Sequence, residues 1–155
     1  MNHSFPFVLL LLAGAVAAAD TTSSARAKRP PPPPVYLEEC TGCHAAYLPR
    51  MLPAASWQRL LGGLPTHFGV DASLDAATLA AFRPWLLDNA GDAQRFPVAP
   101  EQDRITRAQW FTRQHHGIKP ATWQRPAIGS KSNCGACHGQ ADQGKYGEHD
   151  VHIPK

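Results

Sequence analysis

Apolar residues recur along the chain at the three- and four-residue spacing of helices, and no stretch alternates apolar and polar positions convincingly enough to predict a strand. Segments with the helical pattern cover residues 35–47, 56–64, 73–91 and 106–117, and a short one carries the sequence CGACHG from residue 134. Stretches rich in glycine, proline and polar residues separate several of these segments. The pattern predicts a mainly α fold with long irregular loops and no significant sheet.

Serine and threonine residues mark the predicted starts of three helices, because their side chains accept hydrogen bonds from the first free backbone N–H groups. These predicted caps are Ser56, Ser73 and Thr106. Pro84 is expected to kink or split the helix over residues 73–91, and Gly91 is expected to end it. The faces predicted to point inward carry Trp57, Leu60, Leu61 and Leu64 in one helix and Leu74, Ala77, Ala81, Phe82 and Trp85 in the next.

The chain begins with a pattern typical of an export signal. Residues 5–18 form an apolar run that is short for a membrane span, and residues 17–19 are the small alanines that signal peptidase recognises. We therefore expect a signal peptide over residues 1–19 and a protein exported to the periplasm, with an uncleaved anchor as the alternative. No later stretch of sequence predicts a membrane span.

The remaining sequence predicts an arm and two small domains. Residues 20–34 are small and polar and end in a run of prolines, which predicts a disordered arm with a polyproline segment. The turn-rich sequence DAQRFPVAPEQDR then suggests a boundary between domains over residues 35–95 and 96–155. The formal net charge is only +3, without a basic stripe interleaved with aromatic residues, and this argues against a nucleic-acid partner.

All four cysteines belong to two copies of the motif C-x-x-C-H, at residues 40–44 and 134–138. In c-type cytochromes this motif attaches haem through two thioether bonds, and the histidine that follows becomes the proximal iron ligand. Bacterial haem c is attached outside the cytoplasm, in agreement with the export signal. The motifs predict two covalent haem c groups, each with its iron, held by Cys40, Cys43, His44, Cys134, Cys137 and His138.

Other chemistries of paired cysteines fit the sequence less well. A zinc site of two cysteine pairs has them about 15–20 residues apart, far fewer than separate Cys43 from Cys134. A redox-active C-x-x-C is expected next to a βαβ pattern, and the sequence has none. A structural disulfide within one motif would close a small, strained loop.

The sixth ligand of each iron decides what such a protein can do, since an open position permits chemistry on small molecules. Met51 lies too soon after His44 to reach the far face of the haem, and we interpret it as core. Histidines outside the two motifs and the predicted signal peptide are His67, His115, His116, His149 and His152. His67 and one of the adjacent pair are the favoured distal ligands, and those in the polar tail are expected to be exposed.

A helical wheel separates the two adjacent histidines. At 100° per residue from Ile105, His115 falls within the apolar face that contains Phe111, whereas His116 falls beside Arg113. An iron ligand must enter the apolar, haem-covered side, so the wheel favours His115. Distortion of the helix near its end would bring His116 in instead.

Two long segments resemble the small bacterial dihaem cytochrome c family in order and spacing. They are CTGCHAAYLPRMLPAASWQRLLGGLPTHFGVDASLD and ITRAQWFTRQHHGIKPATWQRPAIGSKSNCGACHGQADQGKYGEHDVHIP. The resemblance implies two haems with two histidine ligands each, one haem per small domain, and low reduction potentials. It places the distal ligands at His67 and His115. In purple-bacterial members of the family, the protein donates electrons to a soluble, oxygen-binding monohaem cytochrome.

The sequence thus predicts a periplasmic electron carrier with two bis-histidine haems, and no enzymatic activity of the polypeptide. Its expected partners are redox proteins, either a soluble oxygen-binding monohaem cytochrome or a membrane-bound cytochrome. The alternative is a small haem enzyme or gas-binding sensor in which one iron has an open or displaceable sixth position. A binding module stapled by zinc is a third, weaker interpretation.

Overall fold

The computed structural model of the protein describes Met1 and residues 30–155. The predicted signal peptide, apart from Met1, and residues 20–29 of the predicted arm lie outside the described residues. At the end of the arm, Pro33 has φ −58° and ψ 140°, close to polyproline II geometry. Trp85 Nε1 donates a hydrogen bond to the carbonyl oxygen of Pro30 at 3.3 Å, which holds these prolines against the helix that carries Trp85.

Five short α-helices form the regular part of the described chain. They are α1 (Pro34–Cys40), α2 (Ala54–Gly62), α3 (Ala76–Asp88), α4 (Gln109–Gln114) and α5 (Pro120–Trp123). Single 3₁₀ turns lie at Pro49–Met51, Leu64–Thr66, Glu101–Asp103, Ile105–Arg107, Cys134–Ala136, Ala141–Gln143 and Glu148–Asp150. Residues 30–155 contain isolated β-bridges but no strand, so the predicted mainly α class without a significant sheet is confirmed. Within the same range, no helix has the length and apolar character needed to cross a membrane.

The larger core forms where α1, α2 and α3 meet. Its enclosed residues are Tyr36, Ala46, Leu52, Trp57, Phe82 and Leu86. Burying each large apolar side chain stabilises the fold by roughly 1.5–3 kcal/mol. The Tyr36 hydroxyl donates to the Tyr47 carbonyl oxygen at 2.6 Å, and Trp57 Nε1 donates to that of Pro49 at 2.7 Å. The core therefore also fastens the loop between α1 and α2, which contains most of the first C-x-x-C-H motif.

A smaller core lies in the second half of the chain. It consists of Phe96, Ala108 and Phe111, with Trp110 and Trp123 packed against it. Several contacts join the two halves: Ile105 packs against the larger core, and Trp110 Nε1 donates to the Met51 carbonyl oxygen at 3.2 Å. Residues on both sides of the predicted boundary are thus in contact, and the division into two domains stays a prediction.

The first motif is not helical throughout. We predicted a helix over residues 35–47, but α1 ends at Cys40. The Thr41 N–H and hydroxyl both donate to the Leu37 carbonyl oxygen, at 3.0 and 2.7 Å. The backbone bond still has the helical i→i−4 pattern, and residues 41–44 then follow as a turn and a bend. The second motif likewise holds a 3₁₀ turn, Cys134–Ala136, where we expected a short helix.

All three predicted N-caps were wrong. The N-cap position of α2 is occupied by Pro53, and two good helix formers follow it. Ser56 lies inside the helix and is fully buried. Asp75 caps α3, accepting a hydrogen bond from the Thr78 N–H at 2.9 Å, while Ser73 is bonded to Asp71. Ala108 precedes α4, since the residues around Thr106 form a 3₁₀ turn of their own.

Three further expectations for α3 differ from the structure. Pro84 does not split the helix, which continues to Asp88, and Ala77 and Ala81 are exposed although we predicted them to face inward. Gly91 lies beyond the helix end, where its N–H donates to the Leu52 carbonyl oxygen at 2.8 Å. A Cβ atom on Gly91 would lie 2.2 Å from the Phe96 ring, so this glycine is required for close packing between the two halves.

Candidate metal centres

The histidine of the first motif is held in a defined tautomer. His44 Nδ1 lies 2.8 Å from the carbonyl oxygen of Ala45. Because a carbonyl oxygen only accepts hydrogen bonds, Nδ1 carries the proton, and Nε2 of the neutral ring keeps a lone pair that can bind a metal. The ring also stacks on Tyr47, with centroids 4.7 Å apart and planes 20° apart.

A tight turn brings His67 next to His44. His67 follows the 3₁₀ turn Leu64–Thr66 and forms a β-bridge with Val70, and Phe68 between them has φ 50°, uncommon for a bulky residue. The rings of His44 and His67 have centroids 6.3 Å apart and planes 34° apart. The structure thus brings the first motif together with the histidine that we predicted as its distal ligand.

The second motif is tied to the tail of the chain. The His138 N–H donates to the Cys134 carbonyl oxygen at 2.8 Å, and the His152 N–H donates to that of Cys137 at 2.9 Å. A bridge between His138 and Val151 adds to this contact. The backbone of the tail, whose sequence predicts only a polar loop, therefore supports the motif directly.

His115 is the histidine that the fold places beside His138. Their ring centroids are 6.2 Å apart, and the ring planes are 79° apart. His115 Nδ1 donates to the Phe111 carbonyl oxygen at 2.9 Å, which again leaves Nε2 free, and its ring stacks on Phe111 at 4.1 Å. His115 sits at the C-terminal cap of α4.

The other candidate side chains lie elsewhere. His116 is exposed, and its Nδ1 donates to the Arg113 carbonyl oxygen at 2.9 Å. His149 and His152 are exposed. Met51 is only 6% exposed and lies in the buried apolar interior, as expected for a core residue.

The two histidine pairs fit a metal held between imidazoles. Metal–imidazole bonds of about 2.0–2.1 Å put the centroids of two rings on opposite sides of one ion roughly 6 Å apart. Both observed distances have this value. His67 and His138 also each have a buried Nδ1 without a hydrogen-bond partner in the described part of the chain. Such orphaned polar atoms are rare in folded proteins, and the described residues supply no partner for these two nitrogens.

Burial and a neighbouring ring disfavour the protonated form of one histidine in each pair, and the neutral form is the one that binds metals. Burial, and then the neighbouring His44 ring, lower the pKa of His67. Burial and the His115 ring lower the pKa of His138 in the same way. Both imidazoles therefore remain unprotonated at neutral pH.

The surroundings of the cysteines do not favour thiolate chemistry. No disulfide joins the four cysteines, and residues 30–155 contain no cluster of three or more His, Cys, Asp or Glu side chains of the kind that holds a metal ion unaided. Burial raises the pKa of Cys40 to about 11, with a contribution from Glu39, and also raises the pKa values of Cys134 and Cys137. Reactive redox thiols have a lowered pKa, so the shift is in the opposite direction.

Two tyrosines at these sites have no counterpart in the sequence prediction. Tyr47 stacks on His44, and its hydroxyl donates to the Ser132 carbonyl oxygen at 2.9 Å, near the second motif. Tyr146 packs against the His138 ring at 5.6 Å. The position of Tyr47 three residues after His44 was an available signal, whereas nothing in the sequence marks Tyr146.

The fold brings both motifs to a single cavity. Its volume is about 430 Å³, and its walls include Cys43 and His44 from the first motif and Cys134 and His138 from the second.

Burial, with a smaller effect from Cys134, raises the pKa of the nearby Tyr47 to about 12. The hydroxyl is therefore protonated and able to donate at neutral pH.

The comparisons with known proteins find similarity to dihaem cytochromes c. The family model for dihaem cytochrome c matches residues 36–146. A dihaem cytochrome c of Shewanella baltica has a similar crystal structure, with 34% identity, a TM-score of 0.67, and coverage of 78% of this chain and 92% of the other. Two structures from Rhodobacter sphaeroides, of DHC and of a dihaem cytochrome c, share 39% and 38% identity, with TM-scores of 0.62 and 0.65. Both cover 74% of this chain and 96% of their own.

None of the curated proteins matches the chain. The family model, by contrast, extends over most of the described residues, from the first core to the tyrosine that contacts His138. Two covalently bound haem c groups with iron, and electron transfer as the general function, follow from this match. The chain belongs to the dihaem cytochrome c family.

Proposed function

We propose that the protein is a periplasmic electron carrier whose two haems both have bis-histidine ligation and low reduction potentials. The thioether bonds are assigned to Cys40 and Cys43 for the first haem and to Cys134 and Cys137 for the second. The iron ligands are His44 with His67 and His138 with His115.

The observation that carries this proposal is the pairing of the histidines. Each motif histidine has one further imidazole at a ring distance of 6.2–6.3 Å, which is suited to sharing one metal ion. In each pair, one Nδ1 is committed to a backbone carbonyl and leaves Nε2 for the metal. The two sites have the same ligand set, which supports the same kind of function at both.

The ligand set also supports low potentials. Methionine as an axial ligand raises the potential of haem iron, and Met51, the one methionine after the predicted signal peptide, is buried in the core. When bound, the haem iron supplies reversible one-electron chemistry. The polypeptide holds the ligands in place, and the apolar rings of Phe111 and Trp123 pack against His115 at the second site.

The periplasmic location rests on two features of the sequence. The signal-peptide pattern over residues 1–19 predicts export, and both motifs require haem attachment outside the cytoplasm in bacteria. Electron exchange with a soluble oxygen-binding monohaem cytochrome, or with a membrane-bound cytochrome, would suit a small carrier of this kind. Because the protein has a formal net charge of only +3, docking of a partner depends on local surfaces around the haem edges more than on a strong overall electric field.

A reductive titration of the purified protein, followed optically with and without carbon monoxide, tests the proposal. We expect two haems per chain, both reduced at potentials below those of histidine/methionine cytochromes, and no spectral change with carbon monoxide. Rapid carbon monoxide binding by one ferrous haem would show an open sixth position and favour a haem enzyme or gas sensor.

A further inference from the structure

Tyr47 contacts the first haem-binding motif and the backbone that leads into the second. Its ring stacks on the imidazole of His44 at 4.7 Å, with the planes 20° apart. Its hydroxyl donates a 2.9 Å hydrogen bond to the carbonyl oxygen of Ser132, two residues before Cys134. One side chain therefore touches a ligand of the first site and the backbone that leads into the second motif.

The position of Tyr47 is itself fixed from two sides. The Tyr36 hydroxyl, which lies in the larger core, donates to the Tyr47 carbonyl oxygen at 2.6 Å. The neighbouring Leu48 packs against Gly144, where a Cβ atom would lie only 3.0 Å from the Leu48 side chain. Gly144 lies two residues before Tyr146, and the Tyr146 ring packs on that of His138. Tyr47 thus sits in a continuous set of contacts between the two proximal histidines.

We propose that Tyr47 is a positioning residue that fixes the ring plane of His44 and ties this ligand to the second haem-binding motif. The stacked ring limits rotation of the imidazole, and the hydroxyl holds the backbone before Cys134. The two tasks belong to different parts of the side chain and can be separated by substitution. The first task rests on the proposed iron ligation, whereas the second does not.

Three variants of the haem-loaded protein separate these tasks. Tyr47→Phe keeps the ring and removes the hydroxyl, while Tyr47→Leu removes both. Trp85→Phe is the matched control, because it also deletes one aromatic hydrogen bond to a backbone carbonyl, that of Pro30, away from the loop that carries Tyr47. Hydrogen exchange of residues 132–138, followed by mass spectrometry, measures the effect of the hydrogen bond from Tyr47 to Ser132, which we call the tether. Electron paramagnetic resonance of the ferric protein measures changes in the relative orientation of the ligand rings.

We expect exchange of residues 132–138 to be roughly two- to tenfold faster in both Tyr47 variants, as for the loss of one hydrogen bond, and unchanged in the control. One of the two low-spin resonance signals should shift in Tyr47→Leu, whereas both should be retained in Tyr47→Phe and Trp85→Phe. If Tyr47→Leu does not fold, the exchange in Tyr47→Phe still decides whether the tether exists.

If residues 132–138 of Tyr47→Phe exchange at the wild-type rate, the proposed tether is wrong. If Tyr47→Leu leaves both resonance signals unchanged, the proposal that Tyr47 fixes the ring plane of His44 is wrong. A high-spin signal in the wild-type protein would instead contradict the proposed ligation, and the exchange comparison would remain valid.

Discussion

The imidazole rings of His115 and His138 lie nearly perpendicular to each other, at 79°, with their centroids 6.2 Å apart. The rings of His44 and His67 have almost the same separation, 6.3 Å, but differ by only 34° in orientation. The relative orientation of two axial imidazoles determines how the iron d orbitals split. Two sites with the same ligands are therefore expected to give distinguishable low-spin signals.

The ligand at the second haem can be assigned by substituting the two adjacent histidines separately. His115→Ala should remove one of the two low-spin signals completely and make that haem reactive with carbon monoxide, because the ring facing His138 is lost. His116→Ala is the matched control, since His116 is exposed and bonds only within its own turn. It should leave both haems low-spin. The reverse pair of spectra would identify His116 as the ligand.

Met51 is expected to act only through packing. Met51→Leu nearly conserves volume in the buried interior and should cost less than about 1.5 kcal/mol of unfolding free energy. Both reduction potentials should stay unchanged in an optical titration. A lower potential at one haem would show that Met51 is an iron ligand.

Gly91 is expected to be intolerant of a side chain. A Cβ atom there would lie 2.2 Å from the Phe96 ring and 3.0 Å from the Arg50 carbonyl oxygen. Gly91→Ala should lower the unfolding free energy by about 1–3 kcal/mol in a denaturant titration. Gly62→Ala serves as control, because a Cβ atom on this residue of α2 would meet nothing within 4 Å, and it should not destabilise the protein. Equal effects of both substitutions would contradict the packing argument.

The contact between Arg59 and Asp103 predicts a dependence of stability on pH. Arg59 Nε and Nη2 donate to the two carboxylate oxygens at 2.8 and 2.6 Å, and this bonding lowers the pKa of Asp103. A lowered folded-state pKa means that the stabilisation is fully present above the usual aspartate pKa of about 3.9 and is lost as the pH falls through the lower folded value.

A double-mutant cycle with Arg59→Met and Asp103→Asn measures this contact. The coupling in unfolding free energy should be small and stabilising at pH 7 and should decrease as the pH falls below about 4. A coupling that stayed constant down to pH 2 would be inconsistent with a contribution from the ionised carboxylate.

The helical class and the candidate residues were accessible from sequence, because both depend on local patterns. Spacing of apolar residues predicted α2 and α3, and the C-x-x-C-H motifs singled out the histidines that the fold places opposite His67 and His115. The helical wheel favoured His115 although it assumed a helix from residue 105. The observed α4 starts at Gln109, and His115 lies just past its end.

Helix ends and tertiary partners were less accessible, because they depend on competition between neighbouring groups. Ser73 was a plausible cap, but the carboxylate of Asp71 bonds it and Asp75 takes the position instead. The helix α1 ends at Cys40, the first residue of the first motif, where the apolar spacing predicted that it continues. Tyr146 packs on His138 while the nearby Gly144 lies against Leu48, and no local pattern encodes these contacts.

Electron paramagnetic resonance of the fully oxidised wild-type protein tests the bis-histidine ligation of both haems most directly. We expect two low-spin ferric signals of different shape and equal intensity, one from each histidine pair, and no high-spin signal. A high-spin signal of comparable intensity would show that one iron lacks its second histidine and would contradict this ligation.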